Sequence, residues 1–339
     1  MDAVDALNEI AFWLERELAP SFKVQAFRKA AVLIRDLDSQ ELAARAADGR
    51  LQRMKGIGGR TFEVISQALT GVVPDYLENL RERGAAPLAD GGALLGKLRG
   101  DLHSHSDWSD GGSPVELMVA AAAALGRDYL ALTDHSPNLK VANGLSAERL
   151  GDQLDLVARI NKARPGVRVL TGIEVDILED GTLDQTAELL DRLDVVVASV
   201  HSKLRSDSRT MTRRMLGAIE DPHTNVLGHC TGRLVQGGRG TRPPSDFDAK
   251  RVFAACAEHD VAVEINSRPE RQDPPDELIQ LALDAGCLFS IDSDAHAPGQ
   301  LDFLPYGAER AERNGVPADR VVTTWPLERL LDWSGGGDR

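Results

Sequence analysis

At 339 residues, with 42% apolar and 4% aromatic residues, the chain is long enough for one large domain and a small one. A formal net charge of −14 opposes indiscriminate nucleic-acid binding through the global field. Asp2 and Asp5 precede any apolar run, so no signal peptide is expected, and no stretch of about 18 uncharged apolar residues offers a membrane span.

Apolar residues at helical spacing (Val4, Leu7, Ile10, Ala11, Leu14, Leu18) predict a first helix that Pro20 ends. A second is expected over 24–37, with Phe27, Ala30, Ala31 and Ile34 on one face, and a third over Ser39–Ala47. The turn Gly56-Ile57-Gly58 then leads into an amphipathic helix carrying Phe62, Ile65, Ala68 and Leu69. Such a turn lets backbone N–H groups approach a phosphate with a helix N-terminus behind them. Most Gly-x-Gly turns are only tight connections, but Lys55, Arg60 and Thr61 beside this one favour a helix-hairpin-helix over about 51–70. Lys55, Gly56, Gly58, Arg60 and Thr61 are its candidate DNA contacts. Residues 1–90 hold 12 basic and 14 acidic residues, which permits DNA contact without demanding it.

Residues 1–84 therefore read as a small all-α domain, and 85–97, rich in Gly and Ala, as a linker. From 98 to 339 short apolar strands alternate with amphipathic helices. Strands are expected at 98–103, 129–133, 167–170, 195–200, 225–228, 261–265 and 288–291, with a possible extra one at 321–324. Helices are expected at 114–125, Ala147–Lys162, 184–192, 211–219, 246–259 and Asp276–Ala285. Alternation of this kind implies right-handed crossovers and a parallel sheet, closed or nearly closed as a seven-unit β/α barrel.

Of the eight histidines, six stand at expected strand ends: His103, His105, His135, His201, His229 and His296. His103 and His105, at i and i+2, would share one face of their strand. Asp110, Glu174 and Asp294 stand at strand ends too. Loops after the strands of such a barrel converge on one mouth. A single His there is more often structural; six with three carboxylates would bury heavy desolvation costs without a cation. Nine N/O ligands exceed one tetrahedral ion, so two or three are implied, and the absence of thiolates points to zinc, manganese or iron. Cys230, Cys256 and Cys287 are widely spaced, which argues for a reducing cytoplasm. Clustered ions of this kind clamp a phosphoryl group and acidify a water, so phosphoester hydrolysis is the expected reaction.

His103-x-His105, Thr133-Asp134-His135-Ser136, Gly172-Ile173-Glu174, Ser199-Val200-His201-Ser202, Gly228-His229 and Ser293-Asp294-Ala295-His296 resemble the polymerase and histidinol phosphatase (PHP) superfamily. The resemblance implies an α/β fold, a distorted seven-stranded, TIM-like β/α barrel holding three ions. It assigns His103, His105, Glu174 and Asp294 to the first ion. Glu174, His201 and His229 go to the second, and Asp110, His135 and His296 to the third. The family varies between His and Asp at the Asp110 position. A metal-held hydroxide would attack, with Glu174, Asp294 and His201 around it. Lys140, Arg233, Arg268 and Arg271, in strand-end loops, are candidates for binding the substrate phosphate.

Within the superfamily the chain most resembles the C-terminal domain of bacterial family X DNA polymerases, through Asp134-His135-Ser136-Pro137, Ala142-Asn143-Gly144-Leu145, Thr231-Gly232-Arg233 and Glu264-Ile265-Asn266 with Arg268 and Arg271. The N-terminal region resembles that family's small domain. Palm and fingers are missing between 90 and 98, so polymerase activity is not expected, and Cys230 stands where the family usually has Pro. The resemblance implies action on DNA ends, as a 3′–5′ exonuclease or 3′-phosphatase. The alternative is a small-molecule phosphatase, such as one for histidinol phosphate, which the chain's acidity favours.

Overall fold

The computed structural model describes residues 1–163, 166–238 and 240–335. The chain divides into two compact units, Met1–Pro87 and Leu88–Arg339. The first is all helical: α1 (Ala3–Arg16), α2 (Ser21–Ile34), α3 (Ser39–Ala47), α4 (Arg50–Arg53), α5 (Gly59–Leu69) and α6 (Asp75–Gly84). Asp2 starts α1 by accepting the amides of Val4 and Asp5 on its side chain. The apolar stripe of α1 (Leu7, Ile10, Ala11, Leu14) is buried with Phe27, Ala30 and Ile34 of α2, Val64 and Ile65 of α5, and Leu77 and Leu80 of α6. Each such aliphatic side chain contributes about 1.5–3 kcal/mol of hydrophobic stabilisation. A buried Arg28–Glu15 pair at 2.8 Å ties α2 to α1.

The segment over 51–70 differs in proportion from the expected helix-hairpin-helix. Its first helix is the single turn α4, and Gly56 sits at φ +104°, where a Cβ would lie 2.8 Å from Leu33 Cδ1. Glycine is required there on both counts. Ile57 is buried and pins the turn to the helices.

The second unit begins inside the expected linker, because α7 (Gly92–Leu95) is held by the Leu94 amide donating to Glu312 at 2.5 Å. Seven parallel strands follow in spatial order β1 to β7: Gly100–Asp101, Tyr129–Leu132, Arg168–Asp176, Val195–Ser199, Val226–Leu227, Ala262–Asn266 and Phe289–Asp292. Between and after them run α8 (Val115–Ala124), α9 (Ala147–Lys162), α10 (Ala187–Leu190), α11 (Ser208–Ile219), α12 (Ala249–Glu258), α13 (Asp276–Ala285), α14 (Leu304–Arg313) and α15 (Leu327–Ser334). All residues of β2, β4, β6 and β7 are buried, as strands covered on both faces must be. The barrel nearly closes where Ser104 bridges Ala295 and the His105 amide donates to the Ala295 carbonyl at 2.8 Å.

Several expected elements change shape. The extra strand at 321–324 is a 3-10 turn, Val322–Thr324, with one bridge from Val321 to Phe289. The expected helix over 184–192 shrinks to the one turn of α10. Strands β1 and β5 span two residues each, because side chains take over their ladders. Past Asp101 the amides of His103 and Ser104 go to Asp101 Oδ1 and Thr133 Oγ1, and past Leu227 the His229 amide goes to Glu264 Oε2 at 2.5 Å. His103 and His105 thus lie beyond the regular strand, and loop geometry rather than strand alternation brings them together. Among the described residues no helix is long and apolar enough to cross a membrane.

Candidate metal centre

All nine strand-end residues meet at the mouth formed by the C-terminal ends of the strands. Glu174 is its centre, buried to 1% exposure. Its Oε2 lies 3.4, 3.6 and 2.8 Å from nitrogens of His103, His105 and His135. Its Oε1 lies 3.2 Å from His201 Nε2 and 2.8 Å from His229 Nε2. One carboxylate therefore faces five imidazoles.

Donor atoms converge in four overlapping groups, each within 4.8 Å: His105, Asp110, His135 and His296; His103, Glu174 and His229; His103, His105 and Asp294; and His135, Glu174 and His201. These overlap the three expected ligand sets but partition differently. His229 pairs with His103 as well as Glu174, and His105 also reaches the Asp110 group.

The donors suit cations. Two ligands on one tetrahedral ion with bonds of about 2.1 Å sit roughly 3.4 Å apart. His103–Glu174, His135–Asp110 and His296–Asp110 all stand at 3.4 Å, and His105–Asp294 at 3.5 Å. These separations are too long for good hydrogen bonds and right for a shared ion. Among the described residues, Nε2 of His103, His105 and His201 is buried with no hydrogen-bond partner, which only a cation or water relieves.

Electrostatics agree. Burial alone would raise the Glu174 carboxyl, but His201, His103 and His135 hold it well below its usual range. Burial would lower His135, yet Glu174 and Asp110 push it up to about 10. His105 is driven well below its ordinary value by burial and by the neighbouring charges of His296 and His135. Without ions the cluster balances itself by sharing protons; cations would take their place. The side chains of Asp110 (37% exposed) and His296 (21%) open this end of the site to solvent, whereas His103, His105 and Glu174 are sealed beneath.

Supporting residues fix these donors. Glu264, fully buried, sits 2.6 Å from His103 Nδ1, and Asp176 sits 2.5 Å from His201 Nδ1. Each leaves the other ring nitrogen facing the centre. Asp134 gathers the amides and hydroxyls of Ser106 and Ser109 together with Gln153, which holds the loop bearing Asp110. Buried Arg214 of α11 donates to the carbonyls of Ile177, Leu178 and Ser202 and so fixes the loop after His201. Sequence reasoning did not assign these roles. For Asp176 a signal exists: it follows Glu174 by two and shares its face of β3.

The basic candidates separate. Arg271 is buried with Nε 2.9 Å from Asp294 Oδ2, and burial opposes while Asp294 and Glu174 raise its pKa. Arg268 Nη1 lies 2.9 Å from His296 Nδ1 and donates to the Asp294 carbonyl at 3.1 Å. Both therefore lie directly against Asp294 and His296. Arg233 Nε donates to the Gln272 carbonyl at 2.9 Å, and Lys140 stands exposed on the turn Lys140–Ala142. In the hairpin, Lys55 and Arg60 are exposed, with Arg60 paired to Glu63 at 2.8 Å. Thr61 is buried, its hydroxyl accepting the Gly58 amide at 2.9 Å and donating to the Gly58 carbonyl. It caps α5, and the Gly58 amide is already satisfied.

A parallel barrel with His, Asp and Glu donors gathered at its mouth suits a metal-dependent hydrolase. Residues 101–268, just under half of the chain, match the PHP domain. The chain is 36% identical over 234 residues to the DNA polymerase/3′-5′ exonuclease PolX of Bacillus subtilis, a match covering 69% of this chain and 40% of that protein. The chain thus spans well under half of that relative. It is 28% identical over 239 residues to a probable phosphatase of Vibrio campbellii, covering 67% of this chain and 89% of that protein. It is 27% identical over 250 residues to the probable phosphatase YcdX of Escherichia coli, covering 69% and 92%. Among solved structures, histidinol phosphate phosphatase from Lactococcus lactis, complexed with zinc, L-histidinol and phosphate, aligns at 18% identity and a TM-score of 0.47, over 64% of this chain and 94% of that one.

Proposed function

We infer that the protein hydrolyses phosphoester bonds at DNA ends, as a 3′–5′ exonuclease or 3′-phosphatase, without polymerase activity. The observation that carries the hydrolytic part is Glu174, whose two oxygens face five imidazoles with separations that suit shared ions. Ions held there supply Lewis acidity toward a phosphoryl group and lower the pKa of water. Two or three zinc, manganese or iron ions would be held by His103, His105, Asp110, His135, Glu174, His201, His229, Asp294 and His296. The residues around them bind and orient. Glu264 and Asp176 keep His103 and His201 in register, Arg268 and Arg271 anchor Asp294 and His296, and Lys140 and Arg233 meet the phosphate at the rim.

The DNA assignment is supported by the 36% identity to PolX and by the Gly56–Gly58 turn. In residues 1–84 the amides of Gly59 and Arg60, with Lys55, would hold the phosphate backbone, and residues 85–97 would join this unit to the hydrolase over 98–339. The three buried free cysteines fit a reducing cytoplasm. Full-length protein stripped by chelation and reloaded with Mn²⁺ should shorten or dephosphorylate a 3′-labelled oligonucleotide. Failure on every end structure overturns the reading.

A second reading, a small-molecule phosphatase, is favoured by relatives that match over 89% and 92% of their length and are named probable phosphatases. Turnover of histidinol phosphate far exceeding that of any oligonucleotide would select it.

A further inference from the structure

Charge is distributed unevenly around the mouth. The loop after β1 and the first turn of α8 carry Asp107, Asp110 and Glu116, and the loop after β3 carries Glu179, Asp180 and Asp184. The loop after β4 and the first turns of α11 reverse the sign, with Lys203, Arg205, Arg209, Arg213 and Arg214 against the single acid Asp207. In a chain of net charge −14 this is a pronounced local excess. Arg214 is spent on carbonyls inside, and Asp207 caps α11 by accepting the Thr210 amide at 3.1 Å. The other basic groups are exposed, and among the described residues none of Lys203, Arg205, Arg209, Arg213 or Arg251 makes an ion pair.

Three of these cations share one groove of about 740 Å³, lined by Asp180, Arg209, Thr210, Arg213, Leu216, Gly217, Glu220 and Arg251. Its wall is rigid. The turn at Gly181 packs on α11 so closely that a Cβ on Gly217 would lie 2.9 Å from the Gly181 carbonyl oxygen. Asp180, its carboxyl held below the usual range by bonds to Thr182 and then by Arg213, is anionic, so with Glu220 the groove sets three cations against two acids. The volume is far more than one bound ion needs and suits a stretch of chain. α11 begins at Ser208, shortly after His201 in the chain, so Arg209 is the groove cation nearest in sequence to the metal centre.

We propose that this groove, through Arg209, Arg213 and Arg251, binds the phosphodiester backbone of the single strand whose end lies at the metal centre. The inference rests on the nucleic-acid reading of the site. Guanidinium forks match phosphate oxygens in pairs, and like charges gathered in one groove are relieved when an anion sits among them. Binding here reads charge and not sequence, and each phosphate contact steepens the salt dependence by roughly 0.7 in log–log slope for a single strand.

The test compares wild type with Arg209→Ala/Arg213→Ala/Arg251→Ala, and with the single change Arg213→Glu, on a 12-nucleotide single strand and on p-nitrophenyl phosphate, both with Mn²⁺. We expect KM for the oligonucleotide to rise about tenfold or more in the triple variant, with a shallower salt slope and unchanged kinetics on p-nitrophenyl phosphate. Equal oligonucleotide KM and salt slope in wild type and both variants would overturn the groove while leaving the nuclease reading intact. Equal losses on both substrates would also overturn it, as damage to the fold or the metal centre. If wild type cleaves p-nitrophenyl phosphate but no oligonucleotide, the nucleic-acid reading falls and the groove assignment with it.

Discussion

His201 and His223 are built from the same parts and do different things. His201, at the C-terminal end of β4, has Asp176 on Nδ1 at 2.5 Å and Glu174 3.2 Å from Nε2, in a buried setting where four other imidazoles crowd the same carboxylate. His223, just before β5 at the opposite end of the barrel, has Asp221 on Nδ1 at 2.7 Å and Asp191 on Nε2 at 3.0 Å. Both nitrogens of His223 are satisfied, and Asp191 is 71% exposed. A histidine becomes a ligand candidate when one nitrogen is held and the other is left buried and facing carboxylates at ion-sharing distance. Two acidic neighbours alone make only a surface pair.

The strongest way to break the contrast is at its centre. Glu174→Gln should remove the negative charge that five imidazoles face, with metal content and hydrolysis of p-nitrophenyl phosphate falling at least a thousandfold. Near-native circular dichroism should accompany that loss. Removing one member of a buried charged set costs on the order of 3–5 kcal/mol, so the melting temperature of the metal-free variant should be read alongside.

One step out, Glu264→Gln and Asp176→Asn keep shape but weaken the grip on His103 and His201. Metal affinity by competition with a chelator should drop about 10–100-fold in each, activity returning at high Mn²⁺. Recovery that never comes would make these residues more than positioning groups.

In the first unit, a Cβ at Gly58 would meet no atom within 4 Å, so the fold should tolerate Gly58→Val while the branched side chain screens the amides of Gly59 and Arg60. Oligonucleotide affinity should fall several-fold with small-substrate hydrolysis untouched. Unaltered binding in a fluorescence titration would remove the hairpin as an anchor.

The smallest effect belongs to His223. Burial lowers its pKa, but Asp221 and Asp191 outweigh this and raise it. The stabilisation is therefore present in full below the unfolded value of about 6.5 and disappears as pH rises through the folded value. Denaturation of His223→Gln should show a loss of up to about 1 kcal/mol at pH 5.5 and none at high pH. A constant difference across pH would mean that charge is not the cause.

The convergence of the nine candidates was legible because nearly all stand where a short apolar run ends, and seven such runs can converge on only one mouth. Asp294 and His296 flank Ala295 as His103 and His105 flank Ser104, and those two central residues form the bridge that closes the barrel. The supporting acids were not legible in role. Glu264 is a lone carboxylate within Ala262–Asn266, and nothing local reveals that its partners, His103 and the His229 amide, come from distant strands. Strand lengths failed for the same reason: β1 and β5 stop early because side chains replace the ladder. The capping role of Thr61 was not legible because a hydroxyl beside a glycine turn suits both a phosphate and a helix cap. Helices α6, α14 and α15 went unanticipated, the last two because the alternation that marks the barrel ends with β7.

Metal content per chain tests the central claim most directly. Elemental analysis of the full-length protein, purified without chelator and equilibrated with Zn²⁺ or Mn²⁺, should find two to three ions per chain, falling below one in Glu174→Gln. Less than one ion per wild-type chain under those conditions would contradict it.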